Sequence, residues 1–347
     1  MIIPTLITLI ISGINSIFMK TRANSMAKVL NGYMIFFLII SLALISAFRS
    51  LKTPDTLNYI EYFIWENPGR SIEYGFMELI KFVKLCLGNN YRAFFLVSAL
   101  ISISLKLFAI YRLSRFIWGS IVIYIATKFI LHDMIQMRAA ISSGFFLISI
   151  YYLVYRDLKI YFSLTILAIL FHWTALVMIP LWFLSENKIR KNLYYYLIIG
   201  SYVFAFLGGS IAEFIPYIPI NAIKSAYIGY ISTMELNDYN LFSGLILLKA
   251  ILAFIFVSQI YKLIQYNKCA IIVVKIYIFS IVSYLVFSTL PVAAARISEF
   301  LQVTEIILYP MVIYLFPYKK WILGKFLNLL IGFSLWWFNV YVQKLLI

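Results

Sequence analysis

Apolar residues run along the chain in long uninterrupted stretches, and short charged segments separate them. A helix rises about 1.5 Å per residue, so some 20 apolar residues cross a hydrocarbon core about 30 Å thick. The stretches are continuous and do not alternate with period two, which disfavours a membrane β-barrel. The pattern predicts an all-α, polytopic integral membrane protein with about 11–12 transmembrane helices.

The edges of the predicted spans are good to a few residues. The spans are 2–19, 30–48, 91–111, 116–131, 138–155, 159–171, 173–185, 193–210, 241–262, 270–289, 299–317 and 322–342. The segment 159–185 allows two structures, because each half of about 13 residues covers only about 20 Å. Either a tight hairpin turns at His172, or one tilted helix of about 25 residues crosses the membrane. Basic clusters flank both ends, so the charges favour the hairpin.

Composition and charge place the chain among membrane proteins. Of its 347 residues 64% are apolar, and the mean hydropathy is +0.95, far outside the range of soluble domains. The formal charge of +16 would suggest nucleic acid, but the basic residues lie mainly in short connections between spans, where the positive-inside rule expects them. We therefore exclude nucleic acid and expect the lipid bilayer as a partner.

The charges of alternate connections predict the topology. One set is almost purely basic, which makes that face cytoplasmic. The other face carries most acids and two long connections, 49–90 and 211–240. We interpret 1–347 as a single transmembrane domain with these two outer loops. Residues 71–88 have apolar residues at helical spacing, which predicts an amphipathic helix on the outer surface.

Ionisable residues near the spans are the candidates for chemistry, because a charge in lipid costs several kcal/mol. Arg138 follows Asp133 at the outer mouth of a span, where its guanidinium suits bidentate binding of a phosphate or carboxylate. It could equally anchor the helix or pair with Asp133. We expect Lys106 to extend to the nearby cytoplasmic surface.

Two further features keep two interpretations each, and His172 has one default interpretation. Arg296 and Glu299 lie on one helix face after Pro291, either as a ligand site or as an intrahelical salt bridge. Asp55 in the first outer loop is a general base or an ordinary solvated aspartate. His172, within an apolar run, is by residue type alone a histidine bonded to a helix carbonyl.

Several sequence motifs are absent. The chain has no HExxH, CxxC or HxxxH spacing, and its two cysteines are isolated, so we predict no metal site. It also has no GxSxG or Walker-type glycine loop. We predict no cofactor.

The order of several short motifs resembles the EpsG-like family of bacterial polytopic proteins, which are counted among the Wzy-type polymerases of O-antigen, capsule and exopolysaccharide. The matching positions span about 45–315: Arg49, Asp55-Thr56, Tyr59, Glu73-Tyr74-Gly75-Phe76, Asp133, Ile135-Gln136-Met137-Arg138-Ala139-Ala140-Ile141, Phe171-His172-Trp173-Thr174-Ala175, Pro180, Arg296 and Glu299. One departure is Ala139, where the family often has glutamine.

The resemblance implies a reaction on lipid-linked sugars, and a GT-C-like helical architecture is one option for the fold. A polymerase of this type transfers a growing glycan from undecaprenyl diphosphate to the non-reducing-end hydroxyl of another lipid-linked unit. It would act at the periplasmic or external face of the bacterial cytoplasmic (inner) membrane. A chain-length regulator and the flippase of the same pathway are further possible partners.

The resemblance also assigns roles to residues. Arg138 and Arg296 would bind the diphosphate, and Glu299 would orient Arg296. His172 would be the base or an acceptor ligand, with Asp55 as the alternative catalytic base. Tyr59, Arg49 and Asp133 complete the predicted substrate-binding set.

Other classes of membrane protein remain as alternatives. A flippase or transporter of lipid-linked oligosaccharides would also hold a diphosphate with arginines, but it needs cations along a central path. A membrane O-acyltransferase acting on the same polysaccharides would also use an intramembrane histidine.

Overall fold

The computed structural model describes residues 1–18, 25–65, 72–208 and 244–346. Every regular element in these ranges is a helix. The α-helices, in chain order, are α1 (Ile2–Phe18), α2 (Ser25–Ala47), α3 (Thr56–Trp65), α4 (Tyr74–Leu87), α5 (Tyr91–Leu113), α6 (Ile117–Tyr124), α7 (Met137–Val154), α8 (Leu158–Phe171), α9 (Met178–Leu181), α10 (Lys191–Phe206), α11 (Gly244–Ser258), α12 (Ile260–Tyr266), α13 (Ala270–Val286), α14 (Pro291–Leu301), α15 (Glu305–Leu308) and α16 (Trp321–Trp337).

Shorter helices of other types lie between or after these. A π-helix, Ile125–Asp133, follows α6, and a 3₁₀-helix, Trp173–Val177, lies between α8 and α9. The others are Gln302–Thr304, Tyr309–Leu315 and Tyr318–Lys320, which are 3₁₀, and Phe338–Val342, which is π.

Five helical stretches in the described ranges are long and apolar enough to cross a membrane. They are Leu30–Ala47, Tyr91–Leu113, Met137–Val154, Pro291–Leu315 and Tyr318–Val342. The pair α11 and α12, bent by 73°, makes a sixth if it is one span. Three shorter apolar helices are α1, α8 and α13. The predicted all-α, polytopic membrane fold is confirmed.

Contacts divide the chain into two compact units. The first unit comprises Met1–Glu186, Tyr261–Val273 and Val303–Ile347, and the second comprises Asn187–Ile260 and Val274–Gln302. The division into one transmembrane domain with two outer loops stays a prediction. The predicted loop 211–240 lies outside the described residues.

The segment 159–185 forms the predicted hairpin, and the single tilted helix is wrong. Helix α8 ends at Phe171, and His172 has extended backbone with φ −160° and ψ 122°. The second leg then runs back along α8: the Tyr161 hydroxyl donates to the carbonyl oxygen of Met178 at 2.6 Å. Arg156, which precedes α8, closes the open end through the Trp182 and Leu184 carbonyls and Glu186. His172 therefore lies at the turn of an antiparallel hairpin.

Helix α4 occupies most of the stretch predicted as amphipathic. It buries Phe76, Leu79, Ile80 and Val83, which pack with α3, α5 and the start of α7 in one apolar cluster. Its remaining surface is also partly apolar, since Leu85 is 86% exposed. The buried face fixes α4 firmly, and its N-cap residue Glu73 points toward the turn of the hairpin.

Candidate functional site

Three ionisable side chains meet in the first unit, and Glu73 is at their centre. Its Oε2 accepts a hydrogen bond from Nη1 of Arg138 at 2.6 Å. Its Oε1 lies 3.1 Å from Nδ1 of His172. The Glu73 side chain is only 4% exposed, while His172 and Arg138 are 13% and 22% exposed. The carboxylate is thus enclosed, while each of its two partners is partly exposed. We call this exposed side the open edge. We call these three residues the Glu73 cluster.

Helix packing explains why these residues meet. Helices α7 and α8 run antiparallel, and the Ser142 hydroxyl donates to the carbonyl oxygen of Ala168 at 2.8 Å. Arg138 lies four residues before Ser142, and His172 lies four residues after Ala168. Both are therefore about one helical turn from that hydrogen bond, toward the same end of the helix pair. Helix–helix contact with small residues at the interface is typical of membrane proteins.

Gly75 brings the third residue into place. A Cβ atom added at Gly75 would lie 2.9 Å from the carbonyl oxygen and 3.1 Å from Cβ of Leu170. Only glycine allows α4 to approach α8 this closely. Two residues before Gly75 and two after Leu170 lie Glu73 and His172, so the close approach places the carboxylate against the imidazole.

The hydrogen bonds fix the roles of the imidazole nitrogens. An ionised carboxylate only accepts hydrogen bonds, so Nδ1 of His172 carries the proton that Glu73 receives. In the neutral ring Nε2 is then the acceptor, and it lies 3.1 Å from Oγ1 of Thr174. A carboxylate on Nδ1 and a hydroxyl at Nε2 is the arrangement in which histidine acts as a general base.

The electrostatics keep Glu73 ionised. Burial opposes the charge, but the hydrogen bond from His172 and the positive charge of Arg138 outweigh it and lower the pKa of Glu73 to about 2. Backbone geometry makes Glu73 the N-cap of α4, yet its side chain accepts no bond from that helix. It is committed to Arg138 and His172 instead.

Two residues predicted to bind substrate are buried near Arg138. Tyr59 lies beside its guanidinium, and Arg49 contacts the turn that precedes it. Tyr59 is 4% exposed and interacts with the Arg138 guanidinium, and the Tyr62 ring lies 5.8 Å from the same guanidinium. Burial raises the pKa of Tyr59, so its phenol stays protonated. Arg49 is 6% exposed, and its Nη1 and Nη2 donate inside the protein to the Met134 carbonyl and to Sδ of Met137.

Asp55 is not part of the Glu73 cluster, although its charge acts on Arg49 and Tyr59. It is exposed, has a left-handed backbone with φ 59°, and accepts a hydrogen bond from the Asn58 side chain at 3.2 Å. Of the two residues predicted as the base, only His172 has a carboxylate partner in the described structure.

Asp133 is enclosed, and the expectation for Lys106 is wrong. The two side chains form an ion pair of 2.8 Å with 0% exposure, so Lys106 does not extend to the surface. Its position on α5 faces Asp133, and pairing offsets the cost of burying both charges. Arg138 pairs with Glu73 and not with Asp133.

Arg296 and Glu299 lie in the second unit, on α14. Arg296 is exposed, and within the described residues no hydrogen bond or ion pair holds it. The intrahelical salt bridge that the spacing allowed is not formed. The roles of both residues toward a ligand stay predictions.

Glu73 and Thr174 are the site residues that sequence reasoning missed. Both stand in the motifs that carried the resemblance, Glu73-Tyr74-Gly75-Phe76 and Phe171-His172-Trp173-Thr174-Ala175. A glutamate that falls two residues before a glycine and opens an apolar helix was the available signal. The contact with His172 joins positions 99 residues apart, which spacing alone does not reveal.

Comparison with known proteins identifies the family. The sequence model of the EpsG family matches residues 32–346, nearly the whole chain. The chain belongs to the EpsG family. No curated protein and no solved structure matches it. Membership in this bacterial family supports a general role like that of a polysaccharide polymerase in a multi-pass membrane protein. No group of three or more histidine, cysteine, aspartate or glutamate side chains suited to a metal occurs among the described residues.

Proposed function

We propose that this EpsG-family protein polymerises lipid-linked oligosaccharide repeat units at the outer face of the bacterial cytoplasmic membrane. The donor is a glycan on undecaprenyl diphosphate, and the acceptor is the non-reducing-end hydroxyl of another lipid-linked unit. The observation that carries the proposal is the alignment of Glu73, His172 and a hydroxyl, beside an arginine with an open edge.

His172 acts as the general base in this proposal. Nε2 of His172 already receives one hydroxyl, that of Thr174, at 3.1 Å, and a sugar hydroxyl can take the same position. As the acceptor oxygen bonds to the anomeric carbon, its proton passes to Nε2, and the bond from that carbon to the diphosphate breaks. The adjacent Glu73 carboxylate stabilises the imidazolium that forms.

Arg138 stabilises the departing diphosphate. Nη1 is bound to Glu73, while 22% of the Arg138 side chain remains exposed to a ligand. Arg138 also lies in the first turn of α7, where the helix dipole favours negative charge. The leaving undecaprenyl diphosphate is negatively charged, so these groups stabilise it as it departs.

The test is complementation of a strain that lacks the gene. Wild-type protein is expected to restore long polymer. His172→Gln is expected to leave single repeat units, because losing a general base should reduce polymerisation about 100-fold or more. Thr174→Val serves as the matched control, because it removes the neighbouring hydroxyl and keeps the base. Long polymer with His172→Gln would contradict the assignment, and repeat units accumulating inside the cell of the deletion strain would indicate a flippase.

A further inference from the structure

The turn that precedes Arg138 is held from the side of α2. This turn, residues 133–137, joins the π-helix to α7. The Ser46 hydroxyl donates to the carbonyl oxygen of Asp133 at 2.7 Å. Arg49 donates from Nη1 to the carbonyl oxygen of Met134 and from Nη2 to Sδ of Met137, each at 2.8 Å. The turn just before Arg138 is therefore held at three points, which are the carbonyl oxygens of Asp133 and Met134 and the side chain of Met137.

A buried ion pair holds the other end of the same turn. Oδ1 of Asp133 accepts from Nζ of Lys106 at 2.8 Å and from Oγ of Ser102 at 2.5 Å. Oδ2 accepts from the Tyr124 hydroxyl at 2.8 Å. The three donors come from α5 and α6, and both charged side chains have 0% exposure. Enclosure of this kind leaves Asp133 no surface on which to bind substrate.

The position of the π-helix indicates that the Lys106–Asp133 pair does more than stabilise the fold. A π-helix has i→i+5 hydrogen bonds, is rare, and frequently occurs at functional sites. If it relaxed to an α-helix, the residues after it would shift by one position, a rotation of about 100° at 3.6 residues per turn. Asp133 is the last residue of the π-helix, so fixing its side chain also fixes the register with which α7 begins.

We propose that the buried Lys106–Asp133 ion pair locks the end of the π-helix and, with Arg49, positions Arg138 against Glu73. The inference rests on the proposed function for the role it gives to Arg138. Lys106, Asp133 and Arg49 are positioning residues in this scheme, because each acts on the turn and none reaches the open edge of the Glu73 cluster. Buried ionic groups that specify register are the best-attested use of such pairs.

A labelling experiment tests the position of residue 138 directly. The background is Cys86→Ser with Cys269→Ala, and Arg138→Cys is labelled with a hydrophilic maleimide in detergent. The test variant adds Lys106→Met and Asp133→Leu to this background. Both charges are removed together, because removing one would leave the other buried without a partner. We expect the labelling rate at 138 to change about fivefold or more, the scale of a displaced turn. Arg296→Cys in the second unit is the matched control, expected to stay within about twofold.

The activity of the pair variant completes the test. With Arg138 in place, Lys106→Met with Asp133→Leu is expected to lower polymerisation about tenfold or more at unchanged protein level, as misplaced groups do. An unchanged labelling rate at 138, or full activity of the pair variant, overturns the inference. If the pair variant does not insert, Ser46→Ala with Tyr124→Phe keeps both charges, loosens the same turn and is judged by the same two readouts. Full activity of Arg138→Lys would instead contradict the proposed function, while the labelling still decides the position of the turn.

Discussion

The two arginines predicted for one diphosphate lie in contrasting surroundings. Arg138 is 22% exposed, is paired with Glu73 at 2.6 Å, and begins a helix whose preceding turn is held by buried partners. Arg296 is exposed on α14, and no described residue holds its guanidinium. The same residue type therefore occurs once with its geometry fixed before any ligand arrives, and once free to change rotamer. Electrostatic stabilisation of a transition state depends on the first condition.

Replacing each arginine by lysine gives the largest expected contrast. Arg138→Lys keeps the charge but loses the fork that reaches Glu73 and a phosphate together, so we expect polymerisation to fall about 100-fold. Arg296→Lys is expected to change it less than about fivefold, because an exposed and mobile cation loses little geometry. Polymer length distributions in a complemented deletion strain measure both, with protein level as the control. Equal losses would show that preorganisation does not separate the two arginines.

Glu73→Gln tests the centre of the fixed region and should have the next largest effect. The neutral amide leaves Arg138 without a counter-charge and offers one acceptor oxygen in place of the two that now bind Arg138 and His172, so we expect about a tenfold loss of polymerisation or more. Stability should also fall by about 2–3 kcal/mol, since one member of a largely buried pair is removed.

Glu299→Gln is the matched change in the second unit. A change of less than about 1 kcal/mol is expected there, the usual scale for a partly exposed carboxylate. Thermal unfolding of the two purified variants in detergent compares them. If Glu73→Gln unfolds at the wild-type temperature, the ion pair contributes nothing to the fold.

The contrast between the two regions also marks how far the sequence could lead. Continuous apolar stretches predicted the helical membrane fold, and flanking charges predicted the hairpin at His172, because both depend on local pattern and on the bilayer. The order of short motifs predicted the family. His172 was found because a single ionisable group is conspicuous in an apolar run, and Arg138 because a guanidinium at the mouth of a span suits a phosphate or carboxylate.

Long-range packing decided what local pattern could not. In the sequence Glu73 is one of several loop acids. Only the close approach of α4 to α8 at Gly75 distinguishes it from the others. Lys106 looked like a residue near a helix end, although α5 presents it to Asp133, 27 residues later. Asp55 and Asp133 were both predicted as site residues on the outer side, yet one is exposed and the other is enclosed. Which carboxylate meets a cation depends on tertiary contacts that spacing does not encode.

Gly75→Ala sharpens the role of close packing. The added Cβ meets backbone at 2.9 Å, which cannot give way as a side chain end can, so α4 must shift and Glu73 must move from His172. We expect a loss of about 1–3 kcal/mol in stability and a severalfold loss of polymerisation.

Gly200→Ala in α10 is the control for the chemical change itself. No atom lies within 4 Å of a Cβ at that position, so the alanine should be neutral or should stabilise by up to about 1 kcal/mol through its higher helix propensity. Unfolding temperatures of both variants, measured in one detergent, give the comparison. Equal behaviour would show that the approach of α4 to α8 is not tight.

The pH dependence of unfolding should show an effect that is confined to acid conditions. The folded-state pKa of Glu73 is about 2 and the ordinary value is 4.5. A lowered pKa means that the carboxylate stabilises the fold fully above about pH 4.5 and that this contribution disappears as pH falls toward 2. Between pH 5 and 8 the carboxylate therefore stays ionised and contributes no slope. Unfolding temperatures from pH 5 to pH 2.5 should fall more steeply for the wild type than for Glu73→Gln. Parallel curves for the two proteins would mean that Glu73 is not held by the charge of Arg138 and the hydrogen bond from His172.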